Sequence, residues 1–384
     1  MQPNQQTIQS KISLNALKKP DQIYMLGLYL EVALVHVFCI IDEYRTKKIT
    51  VGTGIPIGGY HDLHHTVSVA EESFRIAKIL LEKNQISFVQ ALSLIAATSG
   101  HDAIQDGKIV PKECQVDGVR WITQVLRRKI GPNERASSDA ISEKFRNLES
   151  IVSQNGDIQL VDYELIERLI MATEPSFKIV TIGEKEYPCI TQPILDKMAK
   201  ALERHRIIDL DNQESTGFTV GRFENKMNAE FRQYVLTYII CRADLWSNLL
   251  DYPTDILKES WAPLLREEWR DWRIIGIANG SLDPRKLDSQ IMKQLASYIL
   301  DSIKFQESFV ITQKERMKNL TAILPTETRS ALGIDTAKDS NQCNIGLVAA
   351  REGIAKIQEL YDEVVLGNKD SFVKMLKIAG YIKS

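Results

Sequence analysis

The sequence predicts an all-α protein, on three observations. Apolar residues recur at helical spacing along almost the whole chain. Alternating Val/Ile/Thr runs bounded by tight turns, the mark of strands, are almost absent. Gly and Pro fall largely in short connecting stretches such as "TVGTGIP", "ATEPSF" and "LDYPTD".

In chain order, the periodicity predicts helices over 21–46, 62–83, 87–99, 116–130, 137–152, 160–173, 191–204, 227–250, 254–271, 287–320, 347–366 and 369–381. The first holds the longest apolar run, "MLGLYLEVALVHVFCII". It is short for a membrane span and contains Glu31 and His36, so a buried core helix is expected. The second presents Val67, Ala70, Phe74, Ala77, Leu80 and Leu81 inward. The segment "GEKEYPCITQP" has room for a short strand or hairpin. Within 254–271 and just after it, Trp261, Trp269 and Trp272 sit at packing spacing. Residues 324–346, "LPTETRSALGIDTAKDSNQCNIG", are polar and poorly periodic. The expected organisation is therefore a helical domain over 1–320, a linker over 321–346 and a C-terminal helical appendage over 347–384.

The composition excludes some classes. The 384 residues carry 48 basic and 50 acidic side chains, a net charge of −2, so no global field draws in nucleic acid or an anionic membrane. The five cysteines are scattered and form no Cys-x-x-Cys pair, which predicts reduced thiols. The polar start "MQPNQQTIQS" does not resemble a signal peptide. A cytoplasmic protein is expected.

Histidine is the informative residue. Three of the six, His61, His64 and His65, crowd into "GGYHDLHHTVSVAEES". His61 and His65 are one helical turn apart and share a face, while His64 points elsewhere. An apolar helix then ends at His101-Asp102, a costly pair to bury unless it is partnered or metal-bound. The 36 positions from His65 to His101 suit one helix out, a turn, and one helix back. Asp244 interrupts a helix whose other inward positions, Leu236, Ile239, Ile240 and Leu249, are apolar. Two imidazoles and two carboxylates from three helices suit Zn, Mn or Fe, with room for a harder second ion such as Mg or Mn. Two such ions sharing a carboxylate can clamp a phosphate and activate water.

In this order, His65, His101-Asp102 and Asp244 resemble the ligand pattern of the HD-domain metal-dependent phosphohydrolase superfamily. "YHDLHHT" is closer still to the opening motif of class I cyclic nucleotide phosphodiesterases. "LIMATEP", "CRADLWSN" and "KFQESFV" resemble three further segments of that family, so the likeness covers roughly residues 58 to 310. The resemblance implies a compact multi-helix fold with a metal cleft between helices. It implies hydrolysis of a nucleotide phosphodiester, most naturally a cyclic one, by metal-activated hydroxide. His65, His101, Asp102 and Asp244 would hold the first ion, and Asp102 would bridge to the second. His61 would be the general acid. Gln306 would read a purine edge, Phe309 would stack on the base, and Tyr60 and Asn248 would complete the substrate pocket. Glu174, Asp62 and Gln105 would support the ions from behind.

Three departures stand out. Asp62 replaces the family's Asn, Gln105 replaces a further His, and Trp246 displaces Asn248 by one step. Each assignment also has a plainer alternative. His61 and His65 could cap a helix, and His101-Asp102 could be a C-terminal cap. Asp244 could pair with Arg242 or another Arg. Gln306 and Phe309 could be core positions, and Arg316 could be part of a solvated face. At the level of activity, the alternatives are a nucleotide monophosphatase or other HD-type phosphohydrolase, a di-iron oxygenase, and a non-catalytic nucleotide-binding module. No nucleic-acid or membrane partner is expected, and a homodimer is compatible with the sequence.

Overall fold

The computed structural model describes residues 17–50, 63–152, 159–211 and 228–382. Tyr60, His61 and Asp62 lie outside them. The described chain is mostly helical, with two small two-stranded sheets.

The main core gathers around α3 (Phe88–Gly100), which is buried along almost its whole length. Its start is set by a capping box. The Ser87 hydroxyl accepts from the Gln90 backbone N–H, and the Gln90 side chain accepts from the Ser87 N–H. α1 (Lys19–Thr50), α2 (Leu63–Glu82), α5 (Tyr163–Ala172) and α7 (Ala229–Asp251) pack around it. α2 ends at Glu82, and two residues on, Asn84 takes a positive φ of 54° while Gln85 N–H closes back on the Leu80 carbonyl. That turn sends α3 back along α2, the return path expected from the His65–His101 spacing.

The helix expected over 116–130 is a correction. Residues 107–128 form an antiparallel hairpin of β1 (Gly107–Val116) and β2 (Val119–Arg128). The turn is Asp117-Gly118, both at positive φ (49° and 76°), the geometry for which Asp-Gly is favoured between hairpin strands. Trp121 and Thr123 point inward on alternate residues of β2. A second hairpin, β3 (Ser176–Ile182) and β4 (Lys185–Thr191), covers the segment where a short strand or hairpin was expected. Between them lies α4 (Pro132–Val152), and α6 (Pro193–Asp211) follows the second.

The single helix expected over 254–271 is broken. A 3-10 turn at Pro253–Asp255 and a π turn at Leu257–Trp261 precede α8 (Ala262–Glu268). Trp269 is extended because it bridges to Val125 of β2, and its indole N–H donates to the Thr123 hydroxyl at 2.8 Å. α9 (Trp272–Ala278) follows. A second apolar cluster joins Trp121, Trp261, Trp269 and residues of α10 (Ser289–Thr321) to Phe372, Met375 and Leu376 of α13 (Lys369–Ile378).

The 321–346 stretch is not an open linker. It contains α11 (Thr326–Ala331) and the start of α12 (Thr336–Val365), which lies along α10. The buried positions Cys343, Gly346, Ala350 and Ile357 keep helical spacing, but most are small. At Gly346 and Gly353 an added Cβ would come within 2.8 Å of Leu249 and 2.1 Å of Leu257. A seam of small residues brings backbones close without the large apolar side chains that make a periodic signal. The C-terminal helices pack back onto the rest of the chain.

α1 also differs from expectation. Leu26, Ala33 and Val37 are fully buried, yet only 22% of its apolar stretch is buried overall. By length and composition this helix could cross a membrane.

Candidate metal centre

Three helices deliver four ligand atoms to one point. His65 stands in the first turn of α2, His101 closes α3, Asp102 follows it, and Asp244 lies within α7. His101 Nε2 is 3.1 Å from Asp102 Oδ2 and 3.4 Å from Asp244 Oδ1. His65 Nε2 is 3.6 Å and 3.5 Å from the same two oxygens. All four ligand atoms lie within 4.8 Å of one another. A tetrahedral ion with bonds of about 2.1 Å sets its ligand atoms roughly 3.4 Å apart. The measured spacings bracket that value.

The imidazole orientation fits an ion. His101 Nδ1 is 2.9 Å from the Thr98 carbonyl, which can only accept, so Nδ1 carries the proton. Nε2 points inward at the Asp102 and Asp244 oxygens, where deprotonation would offer its lone pair to an ion. In the bare site, burial opposes charge on both imidazoles, but Asp102 and Asp244 outweigh it. His65 is held above the usual histidine pKa and His101 well above it. Burial likewise pushes the Asp244 carboxyl up, but the two histidines outweigh it and hold it below its usual value.

Each carboxylate is held from behind. The Gln105 amide donates to Asp102 Oδ1 at 2.6 Å, and Arg128 of β2 donates to Gln105 Oε1 at 3.4 Å. Gln105 thus steadies a ligand where the resembled family has a further His. On the other side, Gln192 Nε2 is 3.5 Å from Asp244 Oδ2. Gln192 Oε1 accepts from Arg316 of α10 at 2.9 Å, and Arg316 also reaches Asp196 at 2.7 Å. Arg316 is buried, not part of a solvated face. Gln192→Ala should weaken metal binding about ten- to a hundredfold while leaving all four ligands in place, as read by competition with a chelating dye.

Asp244 does not pair with Arg242. Arg242 leaves α7 on another face and donates to Asp339 of α12 at 2.8 Å, with Glu72 at 3.5 Å. His64 also stands apart, 3.6 Å from Glu259 and beside the Tyr252 ring.

Glu174 lies close to Gly131 at the start of α4, where an added Cβ would be 3.5 Å from its Oε1. Glu134 is nearby. Burial raises its carboxyl pKa, the backbone N–H of Gly131 partly offsets this, and the charges of Asp102 and Glu174 add to it. Glu134, Gln192 and Arg128 were not singled out in the sequence. Pro132 and Glu134 signal a helix start, but nothing local says where that helix points.

Asn248 is one turn beyond Asp244 on the same face of α7. It is buried and donates to the Glu259 carbonyl at 3.3 Å, but among the described residues its Oδ1 accepts no hydrogen bond. Gln306 is buried too, and its Nε2 donates none within the described residues. The pairs Tyr234–Leu320 and Trp246–Gln313 show α7 and α10 running antiparallel. That register carries Gln306 toward the end of α7 that bears Asn248. Phe309 packs against the main core.

No family model matches the chain, and neither the curated proteins nor the solved structures contain a match to it.

Proposed function

We propose that this chain is a metal-dependent phosphohydrolase that cleaves a nucleotide phosphodiester, with a cyclic nucleotide as the preferred substrate class. One observation carries the metal half of the reading: two imidazole nitrogens each stand 3.1–3.6 Å from the same two carboxylate oxygens, and all four atoms lie within 4.8 Å of one another, as one divalent ion needs. When bound, such an ion neutralises phosphate charge and makes water acidic enough to supply the nucleophile near neutral pH.

The chain's own residues do the rest. Thr98 fixes the tautomer of His101, and Gln105 and Gln192 fix the two carboxylates. A second, harder ion such as Mg or Mn would share Asp102 with the first and otherwise be held mainly by water, with Glu174 steadying that water. His61, four positions before His65, is assigned as the acid that protonates the leaving alkoxide. The partner-poor amides of Asn248 and Gln306 favour a substrate with hydrogen-bonding edges, as a base has.

The test is elemental analysis of the purified protein, then a turnover screen with Mn, Mg or Fe. Substrates are cyclic mononucleotides, cyclic dinucleotides and nucleoside monophosphates. Metal near one equivalent or more with hydrolysis of a cyclic substrate is expected. Metal without turnover on any of them overturns the enzymatic reading. Gln306→Ala should cut kcat/KM for the preferred base by roughly ten- to a hundredfold and narrow the gap between purine and pyrimidine substrates, with metal content unchanged. Unchanged base preference would remove Gln306 from the pocket.

A further inference from the structure

We propose that the outward face of α1 pairs with the same face of a second copy of this chain, antiparallel, about a two-fold axis. Met25, Leu28, Val32, Val35 and Cys39 are exposed on one face of α1. Their intervals alternate between three and four residues, the spacing of a coiled-coil seam. Val35 is 58% exposed, and Tyr24, beside the seam, is 69% exposed. An uninterrupted apolar face of this kind marks an interaction site. The opposite face is locked into the domain through Leu26, Ala33, Val37 and Ile40.

Charge selects the partner and its direction. The same spacing continues through Asp21 to Lys18 at one end of the helix and to Asp42 at the other, all exposed. In an antiparallel pair, Met25 meets the partner's Val35 and Leu28 meets the partner's Val32. Lys18 then meets the partner's Asp42, Asp21 meets the partner's Cys39 one turn inside that pair, and the symmetry repeats each contact. Each end of the apolar seam is thereby closed by opposite charges. A parallel pair would instead set Lys18 on Lys18, Asp21 on Asp21 and Asp42 on Asp42. A lipid partner fits poorly, because to span a bilayer this helix would have to withdraw Leu26, Ala33, Val37 and Ile40 from the main core. Asp21, Glu31 and Asp42 on the outer face also disfavour an anionic lipid surface.

The antiparallel direction makes two further demands. Glu31 flanks the seam near the axis, so the two copies of Glu31 approach each other. The two Cys39 residues stand roughly 27 Å apart along the helix axis, at 1.5 Å per residue. They cannot be joined by a disulfide.

Sedimentation velocity of the full chain tests this. A dimer is expected for the native protein. Val32→Glu should weaken it on the order of a hundredfold, because a charge would enter the seam centre without a partner. Helicity by circular dichroism and bound metal should stay unchanged, since Val32 is exposed in the single chain. Lys18→Asp should weaken the dimer, and adding Asp42→Lys to it should restore the dimer. Glu31→Gln should tighten it, most at low salt. A monomer at all concentrations overturns the proposal, as does a monomer that co-sediments with phosphatidylserine vesicles. A Cys39–Cys39 crosslink under mild oxidation, or no rescue by the second charge reversal, overturns the antiparallel direction.

Discussion

Asp244→Ala should strip the metal from the protein and with it the turnover. Asp244 Oδ1 is 3.4–3.5 Å from both imidazole Nε2 atoms, so it is one of the two oxygens that close the donor set. Its loss leaves His65, His101 and Asp102, with a vacant coordination position facing a methyl group. Bound metal should fall below a tenth of an equivalent after dialysis, and kcat/KM should fall by about a thousandfold or more. Arg75→Ala, on an exposed part of α2, is the control and should keep both. Full metal occupancy in Asp244→Ala would remove Asp244 from the ligand set.

The same geometry gives a pH dependence for metal uptake. In metal-free protein, burial disfavours charge on His65 and His101, but the neighbouring carboxylates prevail and raise both pKa values. Their contribution to metal-free stability is therefore complete below the ordinary histidine pKa and is lost as pH rises through the raised values. Metal must displace those protons, so its affinity should rise with pH across the same window, with proton release on binding. Calorimetry in buffers of different ionisation enthalpy measures that release.

Trp246→Ala should cost about 3–5 kcal/mol of stability without removing the metal ligands. Trp246 is fully buried, its ring lies edge-on to Tyr238, and its indole N–H donates to Gln313 Oε1 at 2.9 Å. Gln313 in turn donates to the Ile190 carbonyl at 2.8 Å, so α7, α10 and β4 meet at this one side chain. Truncation opens a cavity and strands a buried amide oxygen, and the two penalties act together. Trp246→Phe should recover most of the packing and lose about 1–2 kcal/mol for the hydrogen bond. The urea midpoint reads both. A stability loss below about 1 kcal/mol in Trp246→Ala would show that the site collapses around the missing ring.

Trp246 also explains why the motif around it departs from the resembled family. Two residues on a helix are about 200° apart, so Trp246 points away from the face that bears Asp244. It packs α7 against α10, while Asn248, a full turn after Asp244, returns to the metal side. Reading "CRADLWSN" by linear order makes the Trp look like a displaced pocket residue. The helix separates the two tasks by direction.

Two misread segments failed for different reasons. The Asp117-Gly118 pair is a hairpin signal, and it was legible. The helix expected there arose because "VRWITQVLRR" satisfies helical spacing as well as strand alternation. The α12 seam was not legible in that way. Gly346, Ala350 and Gly353 look like breakers or filler until α7 and the π turn at 257–261 are placed against them. Small side chains carry no apolar period, and their value lies in what they allow to come near.

The sequence by itself pointed to the four side chains that could hold an ion and to the helices that carry them. Ligand chemistry is a property of residue type, and a buried His or Asp at the end or middle of an apolar helix is conspicuous locally. The α2–α3 return was likewise readable, because chain length alone limits where His101 can go. Only the tertiary structure decided which groups stand behind those ligands. Gln192, Arg316, Arg128 and Glu134 reach the site from β4–α6, α10, β2 and α4, elements distant in sequence from the ligands they serve. Tertiary packing also decided that α1 keeps one apolar face outward. Helical periodicity reports how many apolar residues a helix has, whereas burial depends on how many neighbours the fold can set around it.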